Sequence, residues 1–164
     1  MSDRLSVVLA GAGTAGHINT LISIAEQIKI LCPSAQITAV GATGGMEETL
    51  IPASGLPLRT IPKLAFPRSL SPQTAAFPAK WAKEVRAAEK ILKSVDADCV
   101  AGVGGYVSAP CYRAARKLKI PIAIHEQNAM AGIANKLGAR WADYIGTAYG
   151  GVKLRGRGES LQKE

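Results

Sequence analysis

Apolar residues follow two rhythms along this chain. Runs rich in Val, Ile and small apolar residues recur at 5–10, 36–40, 58–61, 98–102, 120–124 and 144–147, and each has the length of a buried strand. Between them lie stretches of helical period. In 16–31, Ile18, Leu21, Ile22, Ala25 and Ile28 make one apolar stripe, and Pro33 stops the helix. A longer helix over 76–94 puts Phe77, Trp81, Val85, Ala88 and Leu92 on one face and Lys80, Lys83, Arg86, Lys90 and Lys93 on the other. Further helices are predicted over 109–118 and 131–141. Strand alternating with helix predicts the α/β class, as a Rossmann-like, doubly wound parallel sheet. The small apolar run Val100-Ala-Gly-Val suits a strand covered on both faces. Residues 1–149 read as one domain. From Gly150 onward apolar periodicity stops, so 150–164 reads as a linker or disordered tail.

The chain has 164 residues, enough for one good core and too few for two ordinary domains. Its net charge of +8 favours anionic partners. Aromatics make up only 5% of the chain, which removes the stacking platforms of a nucleic-acid binder. Cys32, Cys99 and Cys111 lack metal-ligand spacing and read as reduced, buried thiols of a cytoplasmic protein. No run approaches the roughly 18 apolar residues of a membrane span. Leu5 to Ala10 is too short for a signal peptide.

The sharpest motif is Gly11-Ala-Gly13-Thr-Ala-Gly16-His17, between the first strand and the first helix. Glycines there allow a tight turn whose N–H groups, backed by a helix N-terminus, suit a phosphate or diphosphate. The spacing also matches a dinucleotide fingerprint, but the second strand ends without the acid expected for a ribose: none precedes Glu47. His17 opens the helix, where the dipole disfavours an imidazolium, so a neutral imidazole able to act as general base is expected. The alternative is a helix-start histidine with no chemical role.

A second turn, Gly102-Val-Gly104-Gly105-Tyr106-Val-Ser108-Ala-Pro110, follows the fourth strand. In a doubly wound sheet the order reverses between strands one and four, so both turns should border one crevice. After strand five comes His125-Glu126-Gln127-Asn128, with Asn135 seven residues on. Asn128, having both donor and acceptor, is the expected ligand contact, whereas His125 or Glu126 is as readily a structural brace.

Together these motifs resemble the MurG family of cell-wall glycosyltransferases. The family's G-G-T-G-G-H is met by Ala12 to His17, its G-x-G-G-Y-V-S-G-P by Gly102 to Pro110, and its H-E-Q-N by His125 to Asn128, followed by Gly132 and Asn135. The segment Gly44-Gly-Met46-Glu47, with Ile51-Pro52 and Gly55-Leu-Pro57, fits too, so the resemblance spans about residues 5–150. Ala12, Ala15 and Ala109 stand where the family has glycine, and Thr20 where it often has proline. A methyl at 12 or 109 would crowd a close phosphate approach.

The resemblance implies the amino-terminal, acceptor-binding half of a GT-B enzyme, with a carboxyl-terminal donor-binding domain outside these residues and no activity from this half alone. It implies inverting transfer of N-acetylglucosamine from UDP-N-acetylglucosamine to undecaprenyl-pyrophosphoryl-muramyl-pentapeptide in peptidoglycan synthesis, without metal or cofactor. His17 would be the base. Thr14, Ala15, Gly16 and Asn128 would line the donor side; Tyr106, His125 and Glu126 would shape the acceptor pocket. Gly13, Gly104, Gly105, Ser108 and Asn135 complete the expected substrate-binding set.

Such a lipid-linked acceptor places the domain peripherally on the cytoplasmic side of the cell membrane. Residues 63–93 hold seven Lys or Arg and two Glu. With Leu64, Phe66, Leu70, Phe77, Trp81 and Lys80 they form the expected contact with an anionic surface. A membrane-recruiting acceptor subunit of a split transferase is the second reading. A nucleotide-cofactor oxidoreductase is the third.

Overall fold

The computed structural model describes residues 4–156 and 159–162. Seven parallel strands form one sheet: β1 (Ser6–Ala10), β2 (Gln36–Ala42), β3 (Leu58–Ile61), β4 (Cys99–Gly102), β5 (Ile122–Glu126), β6 (Tyr144–Thr147) and β7 (Glu159–Gln162). Their order is β3-β2-β1-β4-β5-β6-β7, so the winding reverses between β1 and β4 as expected. The helices are α1 (Ala15–Leu31), α2 (Glu47–Ala53), α3 (Pro72–Ala75), α4 (Phe77–Ser94), α5 (Ser108–Leu118) and α6 (Ile133–Ala139).

The sheet separates two apolar layers, and β1 feeds both. Val7 and Leu9 pack with Ile18, Leu21 and Ala25 of α1 and Ile51 of α2. Val8 and Ala10 face Val85, Ala88 and Leu92 of α4 and Cys111, Tyr112 and Ala115 of α5. Alternate residues thus bury on opposite faces, which explains the unbroken apolar run from Val7 to Ala10 in β1. Burying one such leucine contributes about 2 kcal/mol.

The predicted strands and the four predicted helices are present, with limits shifted by a few residues. Two helices and one strand were not anticipated. α2 is seven residues long and contains Pro52, so its sequence reads as a break. α3 spans four residues, too few for a period. Within 150–164, the stretch read as a linker or tail, β7 pairs Tyr144 with Glu159 through Thr147 with Gln162. Edge-strand N–H and C=O groups can recruit a neighbour without an apolar pattern.

Candidate active site

Both glycine turns lie at the carboxyl edge of the sheet, on either side of the winding reversal. Gly104 and Gly105 adopt φ values of +100° and +87°, which favour glycine. A Cβ on Gly105 would collide with the carbonyl oxygen of Ala12, so the turns meet backbone to backbone. The Ser108 hydroxyl shares its proton between the carbonyl oxygens of Ala10 (3.0 Å) and Gly104 (2.8 Å), tying the second turn to β1.

The first turn is held from below by a residue that the sequence did not single out for this. Buried Glu47, at the start of α2, accepts the Gly13 N–H at its Oε1, 2.9 Å away. Its Oε2 has no hydrogen-bond partner, and a Cβ on Gly45 would strike it. Gly13 therefore cannot offer this N–H to an anion while the bond holds. The first-turn amides of α1, including those of Ala15 and Gly16, have no intrahelical acceptor.

Thr14 caps α1 in an extended conformation and accepts the His17 N–H at 3.2 Å. The same hydroxyl lies 2.9 Å from His17 Nδ1. Nε2 then faces the second turn, 3.2 Å from where a Cβ of Gly104 would stand. The His17 pKa lies below its ordinary 6.5, chiefly through burial, with the Glu126 charge and the Ala12 backbone opposing that shift. The direction agrees with the expectation drawn from the helix N-terminus, and its main cause is burial.

His17 borders a cavity of about 240 Å³ with Gly104, Gly105, Tyr106, Glu126 and Asn128, and with Phe66 and Arg68 from the segment after β3. Gly132, Ile133 and Ala134 complete the wall. Glu126 is buried and accepts from the backbone N–H groups of Asn128 (2.9 Å) and Gly132 (3.1 Å) and the side-chain amides of Asn128 and Asn135 (both 2.9 Å). Asn135 Oδ1 in turn accepts from the Tyr112 hydroxyl at 2.8 Å. The Tyr112 ring fits because positions 102 and 138 are glycine, where any Cβ would collide with it. This chain of bonds fixes the loop after β5 against α5 and α6.

The structure therefore brings together His17, Gly104, Gly105, Tyr106, Glu126 and Asn128, and leaves Gly13, Thr14, Ala15 and Gly16 exposed on the adjoining turn. Ser108 and Asn135 need correction as direct ligand contacts: both are fully buried and spend their polar atoms bracing the loops. His125 does not line the cavity; its Nδ1 lies near Gly146 of β6. Ala12 and Ala109 are buried in the fold, so their methyl groups do not crowd a phosphate approach from solvent.

Sequence reasoning also passed over Arg68 and Lys63 as site residues. Lys63 Nζ sits 5.6 Å from the centre of the Tyr106 ring, and Arg68 lines the cavity itself. Their only sequence signal was charge in an irregular segment. A larger cavity of about 570 Å³ lies at the opposite sheet edge, near Arg113, Arg116 and Trp141, away from both glycine turns. No cluster of His, Cys, Asp or Glu suited to a metal occurs among the described residues.

Of the expected membrane set, Leu70 is 98% exposed and Lys80 is exposed, whereas Leu64 is half-buried. Phe66, Phe77 and Trp81 are also half-buried and pack on one another with centroids 5.9–6.2 Å apart. Trp81 rests on the core as well. Among the described residues no helix is long and apolar enough to cross a membrane.

Residues 7–147 match the glycosyltransferase family 28 N-terminal domain. The chain belongs to this family. Among curated members is the UDP-N-acetylglucosamine–N-acetylmuramyl-(pentapeptide) pyrophosphoryl-undecaprenol N-acetylglucosamine transferase of Bifidobacterium longum. It is 54% identical over 151 residues, 92% of this chain and 38% of the relative. The equivalent transferase of Bifidobacterium adolescentis is 51% identical over 165 residues, 99% of this chain and 42% of the relative. The crystal structure of Acinetobacter baumannii MurG superposes with a TM-score of 0.82 at 30% identity, covering 97% of this chain and 45% of that one. This family 28 chain thus spans about two fifths of the length of these curated relatives.

Proposed function

We propose that this domain binds the acceptor in transfer of N-acetylglucosamine from UDP-N-acetylglucosamine to the lipid-linked muramyl-pentapeptide of peptidoglycan synthesis. The observation that carries the reading is His17, held by Thr14 with Nε2 directed toward the second glycine turn beside the cavity. The relatives that bear this activity by name support it.

With Nδ1–H donating to Thr14 Oγ1, Nε2 holds the free lone pair. It removes the proton of the acceptor hydroxyl as that oxygen attacks the anomeric carbon. The bond from that carbon to the diphosphate oxygen breaks, UDP leaves with the electron pair, and the anomeric centre inverts. The imidazolium so formed is stabilised by the Glu126 carboxylate, whose own hydrogen bonds keep it in place. Asn128 is exposed and uses its side-chain N–H on Glu126, which leaves its carbonyl oxygen for a donor from the substrate. The donor half of the site belongs to a carboxyl-terminal domain, so this chain alone transfers no sugar. The exposed Leu70, amid cations of the segment after β3, supports a reading in which the acceptor side meets an anionic membrane face.

The test joins this chain to the carboxyl-terminal part of the Bifidobacterium longum relative and assays transfer with both substrates. Wild type turns over, and His17→Ala lowers kcat by about 10²–10⁴-fold, the usual contribution of a positioned base. Unchanged kcat in His17→Ala removes the base assignment. No transfer by the folded wild-type fusion removes the acceptor-half reading.

A further inference from the structure

A diphosphate carries negative charge that the glycine turns meet only with partial charges, and the Gly13 N–H is already engaged by Glu47. Beneath the cavity lies a second carboxylate, Glu126. Formal positive charge must therefore come from elsewhere. Arg68 is the only lysine or arginine lining the His17 cavity, and it also lines an adjoining cavity of about 190 Å³ that contains Lys80, Ser69 and Thr74. One side chain thus borders both spaces.

Among the described residues neither cation makes an ion pair. The one ion pair among the described residues joins Lys117 to Glu89, away from this site. A planar guanidinium matches two phosphate oxygens at once, whereas an ammonium acts as a point charge. Such a pair, joined by a polar wall and placed next to a base, suits an elongated dianion better than a neutral sugar.

We propose that Arg68 binds a sugar-linked diphosphate where the two cavities meet, with Lys80 supplying a second positive charge from the adjoining one. This rests on the transferase reading for the source of the diphosphate, but the binding chemistry does not need catalysis. Both the nucleotide sugar and the lipid-linked acceptor contain the group, and the experiment separates them.

The chain is first titrated with inorganic pyrophosphate while its amide NMR spectrum is recorded. Saturable shifts at Gly104, Gly105 and Arg68 are expected. Arg68→Ala should weaken binding by at least about tenfold and Arg68→Lys by less, because a lysine keeps the charge and loses the bidentate geometry. This binding titration involves no sugar transfer, so failure of the base assignment and failure of this subsite are distinguishable. Arg68 is exposed, so its variants retain the folded spectrum. Absence of pyrophosphate binding, or equal binding by Arg68→Ala, overturns the proposal. In the two-domain fusion, Arg68→Ala raises KM for the lipid-linked acceptor or for the nucleotide sugar by about tenfold, with kcat nearly unchanged, and the KM that moves names the source. If neither KM moves, the subsite is not used by either substrate and the proposal fails.

Discussion

Two stretches face the same cavity and are built in opposite ways. The loop after β5 is fixed by buried polar atoms: Glu126, Asn135 and Tyr112 form a continuous set of hydrogen bonds out of solvent. The segment after β3 contributes Phe66 and Arg68 to the cavity and carries Lys63 and Leu70 beside them, held by half-buried aromatic rings and by local bonds such as Thr74 Oγ1 to the Ser69 carbonyl (2.9 Å). Rigid geometry is needed where a proton moves, and costs little adaptability there. Under the proposed function, exposed charge and apolar surface suit the wall that would meet a large, flexible lipid-linked ligand. Stability and ligand contact are thus divided between the two walls.

The largest effect should come from cutting the braced wall. Asn135→Ala leaves the Tyr112 hydroxyl without its acceptor and takes one of two donors from Glu126 Oε2, which keeps only the Gly132 N–H, in a closed space. A loss of about 2 kcal/mol is expected in denaturant unfolding, because the buried hydroxyl then bears its desolvation penalty and the carboxylate loses a donor. A loss under about 1 kcal/mol would show that water replaces the amide and that the wall is not rigid. At the other extreme, Leu70→Ser on the open wall should change unfolding free energy by less than about 0.5 kcal/mol. It should nevertheless weaken association of the chain with anionic vesicles in a sedimentation assay. Equal vesicle binding by the two proteins would remove Leu70 from the membrane face.

The same division explains what the sequence disclosed. Parallel strands buried on both faces leave apolar runs, and positive-φ turns demand glycine, so β1, β4 and the two turns were legible together with their meeting point. Polar residues inside a motif do not announce which way they point. Ser108 and Asn135 read as ligand contacts, yet their atoms are consumed by the Ala10, Gly104, His125 and Glu126 acceptors. Glu47 was noted as an acid arriving too late for a ribose and as part of a family-like segment, but not as a brace, because its role depends on α2, whose seven residues and internal proline hide it. Arg68 lies in a segment without period, where charge alone cannot distinguish a solvated surface from a cavity wall.

The central claim is that the fold presents a neutral His17 to the cavity, and its titration tests this most directly. The chain has two histidines, and burial lowers the pKa of both. A pH series of imidazole NMR signals, assigned with His17→Ala, should place the His17 midpoint below 6.5, so that the ring stays a proton acceptor as pH falls through the ordinary range. A midpoint at or above 6.5 would mean that the Glu126 charge outweighs burial, and that His17 meets its substrate already protonated.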